Sequence, residues 1–114
     1  MTVGFHRYET EPLELVIEKE GVEKPLEDYL KIAVSFDQKT TDGKCHIDIV
    51  LDQGAPEVDV ENSTINIHFT QEQSSAFMVA PANVEVNILY ADRERQATCE
   101  GKVNIFRNLY DKEL

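Results

Sequence analysis

A chain of 114 residues, 41% hydrophobic and 29% charged, supports one folded domain with one core and needs neither metal nor disulfide to hold it. Its 22 acidic residues against 11 basic ones give a net charge of −11, which repels phosphate and argues against nucleic acid or an anionic membrane as partner. No apolar run approaches the roughly 18 residues of a membrane span, and residues 1–7 carry no apolar signal-like stretch, so a soluble, non-secreted protein is expected.

Residues 1–11 read as an extended arm containing Phe5 and Tyr8. Over residues 12–19, Leu13, Leu15 and Ile17 alternate with Glu14, Val16 and Glu18, the period-two pattern of a strand with one buried face. Gly21 and Pro25 end it. The run 29–38 places Leu30, Ile32, Val34 and Phe36 on one face, and the run after Gly43 places Cys45, Ile47, Ile49 and Leu51 on one face. A two-residue Asp42-Gly43 loop between them would set Phe36 opposite Ile49 and Val34 opposite Leu51.

After a breaker-rich loop over residues 52–56, a second hairpin is expected at Asn62-Ser63, with Val60 facing Ile65 and Val58 facing Ile67. Ile65, Ile67 and Phe69 line the inner face of its second strand. Thr70 followed by Gln73 has the form of a capping box, which predicts a short helical turn over residues 70–77, with Phe77 and Met78 pinning it to the sheets and Pro81 ending it. The next strand buries Val84, Val86, Ile88 and Tyr90. A four-residue loop over 92–95 would set Tyr90 beside Ala97, Ile88 beside Cys99, Val86 beside Gly101 and Val84 beside Val103. Val103 and Ile105 continue the last strand, and Leu109 and Tyr110 are expected to dock the tail at 107–114. About seven antiparallel strands without long helical patterns predict an all-β sandwich, one domain over 1–114, with one short helical turn between the fifth and sixth strands.

Chemistry-bearing constellations are sparse. Cys45 and Cys99 share the parity of core positions and read as buried free thiols, although the same parity also permits an inter-sheet disulfide. His6, His46 and His68 are far apart, and His46 and His68 face outward, so no zinc set is formed. Asp52, Glu57, Asp59 and Glu61 cluster near one strand end without the spacing of a calcium loop. All five glycines stand singly, which rules out a phosphate-cradling loop, and Ser35, Ser63, Ser74 and Ser75 lack a nucleophile-elbow context. Asn62-Ser63-Thr64, a glycosylation pattern, reads as a turn. These readings predict a non-enzymatic protein with no metal or cofactor.

The segment 65–77, I-N-I-H-F-T-Q-E-Q-S-S-A-F, together with the strands 32–38, 84–90 and 97–105, resembles a group of small phage and prophage proteins of Gram-positive bacteria. These are similar to the N-terminal immunoglobulin-like domain of upper baseplate proteins. The resemblance implies an immunoglobulin-like sandwich and a virion or tail-associated structural role, in the virion or the bacterial host cytoplasm. Other virion proteins, or further copies of the chain in a homo-oligomer, are the implied partners. Thr70, Gln71, Glu72, Gln73 and Phe77 are the candidate structural or interaction residues. The chain departs from the pattern at Pro81-Ala82-Asn83 and over 92–95, where it lacks the usual glycines. A different class of function, a carbohydrate-binding module, would use Tyr8, Tyr29 or Tyr110 as stacking platforms.

Overall fold

The computed structural model describes residues 4–114, without the side-chain surroundings of residues 97–100. Its elements run β1 (Gly4–His6), β2 (Leu13–Val16), β3 (Tyr29–Thr40), β4 (Gly43–Asp52), β5 (Val58–Asp59), β6 (Thr64–Ile67), α1 (Gln71–Ser75), β7 (Ala82–Tyr90) and β8 (Arg95–Phe106). One sheet has the order β1-β8-β7-β3-β4 and the other β2-β6-β5, and their inner faces supply a single core. The fold is all-β and two-layered. The expected inner faces bury Leu13, Leu15 and Ile17, Ile32, Val34 and Phe36, Ile65, Ile67 and Phe69, and Val84, Val86 and Ile88. Alternation marks these faces because successive side chains of a strand point to opposite sides.

The arm forms an eighth strand and breaks the all-antiparallel expectation, since β1 runs parallel to β8 with Phe5 opposite Ile105. Gly4 makes this approach possible. A Cβ there would lie 2.6 Å from the Phe106 ring and 2.7 Å from the Asn104 carbonyl oxygen. Phe5 then enters the core.

All three hairpin registers differ from expectation by two residues, and β7/β8 by three beyond its bulge. In β3/β4 Phe36 faces Ile47 and Val34 faces Ile49, because the chain reverses through Thr41-Asp42 and the positive φ falls on Gly43, at the start of the returning strand. In β5/β6 Val58 faces Ile65, and the loop widens to Val60–Ser63. Ser63 takes φ 54°, and the Asp59 carboxylate accepts hydrogen bonds from the backbone and side-chain N–H groups of Asn62. In β7/β8 Val86 faces Cys99, Val84 faces Gly101 and Ala82 faces Val103. A bulge between Val86 and Asn87 absorbs a residue, and Arg93 at φ 71° takes the left-handed position where a glycine would be easier. A slip of two keeps every side chain on its face, so apolar alternation alone does not oppose it.

Two inner positions also change. A bulge between Tyr29 and Lys31 turns Tyr29 into the core in place of Leu30, and the Tyr29 hydroxyl donates to the Asp52 carbonyl. Gln38, buried in line with Phe36, donates through Nε2 to the Met78 and Ala80 carbonyls and accepts the Met78 N–H at Oε1. It therefore clasps the segment that follows α1. The tail docks differently as well: Leu109 is fully exposed and Tyr110 half exposed, while Asp111 pairs with Arg7 and the Leu114 backbone with the Gln71 amide.

The capping box at Thr70 is complete: Gln73 N–H donates to Thr70 Oγ1 at 3.1 Å, and Thr70 N–H donates to Gln73 Oε1 at 2.9 Å. This short turn delivers Phe77, which is 1% exposed, against Phe5, Phe36 and Phe69. Arg7 secures its far end by donating to the Ser75 and Phe77 carbonyls. Chemical denaturation should rank three substitutions: Phe77→Ala costing about 3–5 kcal/mol by opening a cavity, Gln38→Ala about 1–3 kcal/mol by stranding buried backbone groups, and Thr70→Ala about 1 kcal/mol by loss of the cap. A Phe77→Ala protein as stable as its parent would refute the packing assignment.

Candidate functional site

The candidate residues on α1 divide into two groups. Thr70 and Gln73 are committed to the cap, Gln71 to the Leu114 backbone and Phe77 to the core, which leaves Glu72 as the exposed side chain among them. A surface role for Phe77 is excluded by its burial. Tyr29, a candidate stacking platform, is buried too; Tyr8 lies beneath the Arg7 guanidinium, 5.4 Å from its ring centre, and Tyr110 is half exposed.

The other candidates do not converge. Asp52 pairs with Lys31, Glu61 with Lys24, and Asp59 is held by Asn62, so the four carboxylates near the β4 end are dispersed. His46 stands on β4 of the larger sheet and His68 follows β6 of the smaller one. Among the described residues no three His, Cys, Asp or Glu side chains gather as a metal site. Ser74 is buried within α1, donating to the Gln71 carbonyl.

What residue reading missed lies on the outer face of the larger sheet. His46 Nδ1 lies 3.1 Å from Asp37 Oδ1 on β3, and Nε2 lies 2.9 Å from Asp48 Oδ1, two residues along β4. Ser35 Oγ donates to the same Asp48 oxygen at 2.6 Å, and Lys44 Nζ lies 3.2 Å from Asp37. With both ring nitrogens against carboxylates, only the doubly protonated imidazolium satisfies both contacts as a donor. The hydrogen bonds that His46 donates to Asp37 and then to Asp48 accordingly raise its pKa above the ordinary value. The same contact with His46 holds Asp37 low, and Ser35 followed by His46 holds Asp48 low.

The register explains why this network was not foreseen. The expected turn would have set Asp37 opposite Asp48 and Lys39 opposite His46, two like-charged pairs. The observed one sets Asp37 opposite His46 and Ser35 opposite Asp48. Directly opposed like charges destabilise a sheet and opposite ones stabilise it, so the outer face favours the register to which the apolar face is indifferent. The readable signal was His46-x-Asp48 on one strand with Asp37 on the next.

Beside this network an open groove of about 610 Å³ is lined by Ser35, Asp37, His46, Asn83, Glu85 and Lys102. Ser35, Asp37 and His46 on its wall are tied together through Asp48. The Ser35 hydroxyl donates to a carboxylate rather than to the imidazole, and both imidazole nitrogens are occupied, so the arrangement does not activate a nucleophile in the manner of a serine triad. It neutralises charge across a β-sheet face.

No protein-family model and no curated protein matches the chain.

Cys45, on the inner face of β4, is buried with its thiol free, and burial pushes its pKa up; the Cys99 side chain lies outside the described residues. A Cys99→Ser protein should therefore react slowly with a thiol reagent when native and rapidly once unfolded, and fast native labelling would contradict the burial of Cys45.

The His46 network has a definite pH signature. A raised imidazole pKa contributes stability that is full below its unfolded value near 6.5 and disappears as pH rises through the folded value. The lowered Asp37 and Asp48 contribute stability that is present above their unfolded value of 3.8 and is lost as pH falls through their folded values. The network is thus fully charged between about pH 4 and 6.5. An NMR titration should place His46 above an unperturbed histidine, with Asp37→Asn bringing it back toward that value; a His46 indifferent to this substitution would contradict the assignment.

Proposed function

We propose that this chain is a non-enzymatic structural or assembly protein of a phage or prophage virion, associated with the tail or baseplate and acting through protein–protein contacts. The observation that carries the reading is the strand order. Taking β2, β3, β4, β5, β6, β7 and β8 as strands B, C, C′, D, E, F and G of an immunoglobulin-like domain, the order β4-β3-β7-β8 corresponds to C′CFG and β2-β6-β5 to BED. The helical turn α1 then falls between E and F, at the segment on which the phage resemblance rests. The reading is of an immunoglobulin-like sandwich used as an assembly module.

The outer-face network supports the same reading, because Asp37, Lys44, His46 and Asp48 are paired with one another rather than held ready for a reaction. The carbohydrate alternative loses Tyr29 to the core, and Tyr8 is already covered by the Arg7 guanidinium. Mass spectrometry of purified phage particles produced from the host should detect the protein at structural stoichiometry. Its absence from particles, with abundant free protein in the lysate, would overturn the assignment.

A further inference from the structure

The two sheets have four edges, and they are unequal. β1 has 3 residues, β2 has 4 and β5 has 2, lengths that offer an approaching strand little to pair with. β4 is the exception. It has 10 residues, pairs with β3 along its whole length without a bulge, contains no proline and, among the described residues, has no strand on its other side. A long, regular open edge is a template for another strand, and proteins ordinarily interrupt such edges.

The side chains of β4 indicate the occupant. On the inner face Ile47 and Ile49 are only partly buried at the margin of the core, so a strand added at this edge would cover them. On the outer face Lys44, His46, Asp48, Val50 and Asp52 alternate with these. We propose that β4 pairs antiparallel with β4 of a second copy about a twofold axis at Ile47. This proposal rests on the reading of the chain as an assembly protein and names its first contact.

The register follows from charge and length. With Ile47 on the axis, Ile47 meets Ile47 of the second copy, Cys45 meets Ile49, and His46 meets Asp48 twice, once on each side of the axis. Each imidazolium then has a carboxylate of the other copy across the sheet, in addition to those of its own chain. An axis at Asp48 would oppose the two Asp48 carboxylates, and one at His46 the two imidazoliums. An axis at Ile49 pairs only residues 46–52, whereas one at Ile47 pairs 43–51, nearly the whole strand. The interface is isologous, so one surface completes it. The net charge of −11 on each copy opposes association, and salt therefore strengthens it by screening.

Sedimentation of the full chain over a range of protein and salt concentrations should reveal a dimer that tightens as salt rises. Asp48→Lys should weaken it roughly ten-fold by setting lysine against His46 at both symmetric contacts, and His46→Glu combined with Asp48→Lys should restore it. In a Cys45→Ser, Cys99→Ser background, Ile47→Cys should oxidise to a disulfide-linked dimer and Ile49→Cys should not, because only the axial residue directly opposes itself, at about 4.5–5.5 Å between Cα atoms. Denaturation curves of each variant establish that the monomer remains folded. A monomer at every salt concentration, a dimer indifferent to the charge exchange, or cross-linking through Ile49→Cys instead would each overturn the proposal. Presence in virions with a failed edge test would leave the assembly reading intact with another contact, whereas an edge dimer absent from virions would remove the virion reading alone.

Discussion

Four phenylalanine rings from four separate parts of the chain hold the two layers together. Phe5 of β1 lies 5.1 Å from Phe69 and 5.5 Å from Phe77, and Phe36 of β3 lies 5.1 Å from Phe69 and 6.3 Å from Phe77, in tilted or edge-on contacts. Such geometries suit the quadrupole of an aromatic ring and add to the area each ring removes from water. The rings depend on three local devices: Gly4 for Phe5, the Thr70 cap for Phe77, and strand alternation for Phe36 and Phe69. The cluster therefore couples the arm, the helical turn and both sheets.

That coupling is densest over residues 70–80. The cap at Thr70, the Arg7 bonds to the Ser75 and Phe77 carbonyls and the Gln38 clasp on Met78 and Ala80 all converge within one stretch of chain. Backbone groups that a connecting loop would otherwise leave to water are satisfied here by side chains from distant strands. A segment so constrained is a brace for the fold.

Charge plays a second, separate part. The outer face of β3 and β4 interleaves acids with His46 and Lys44 so that a strongly acidic chain carries a locally balanced patch. The contacts are exposed, and each is individually weak in water. Their importance lies in discrimination, because they separate two hairpin registers that the apolar face treats alike.

The amino-acid sequence by itself determined most of the side chains that enter the core and where the helical turn begins. Both are local properties: burial of one strand face repeats every two residues, and a capping box closes within four. Only the tertiary structure decided the pairing. A slip of two residues returns every side chain to its own face, so the turns at Thr41-Asp42, Val60–Ser63 and Ala91–Glu94, rather than the apolar pattern, set which residue meets which. The same holds for the parallel seat of β1, for the bulge that turns Tyr29 inward and for the burial of Gln38. Each depends on a partner many residues away, and neither period nor propensity encodes that partner until the chain has closed on itself.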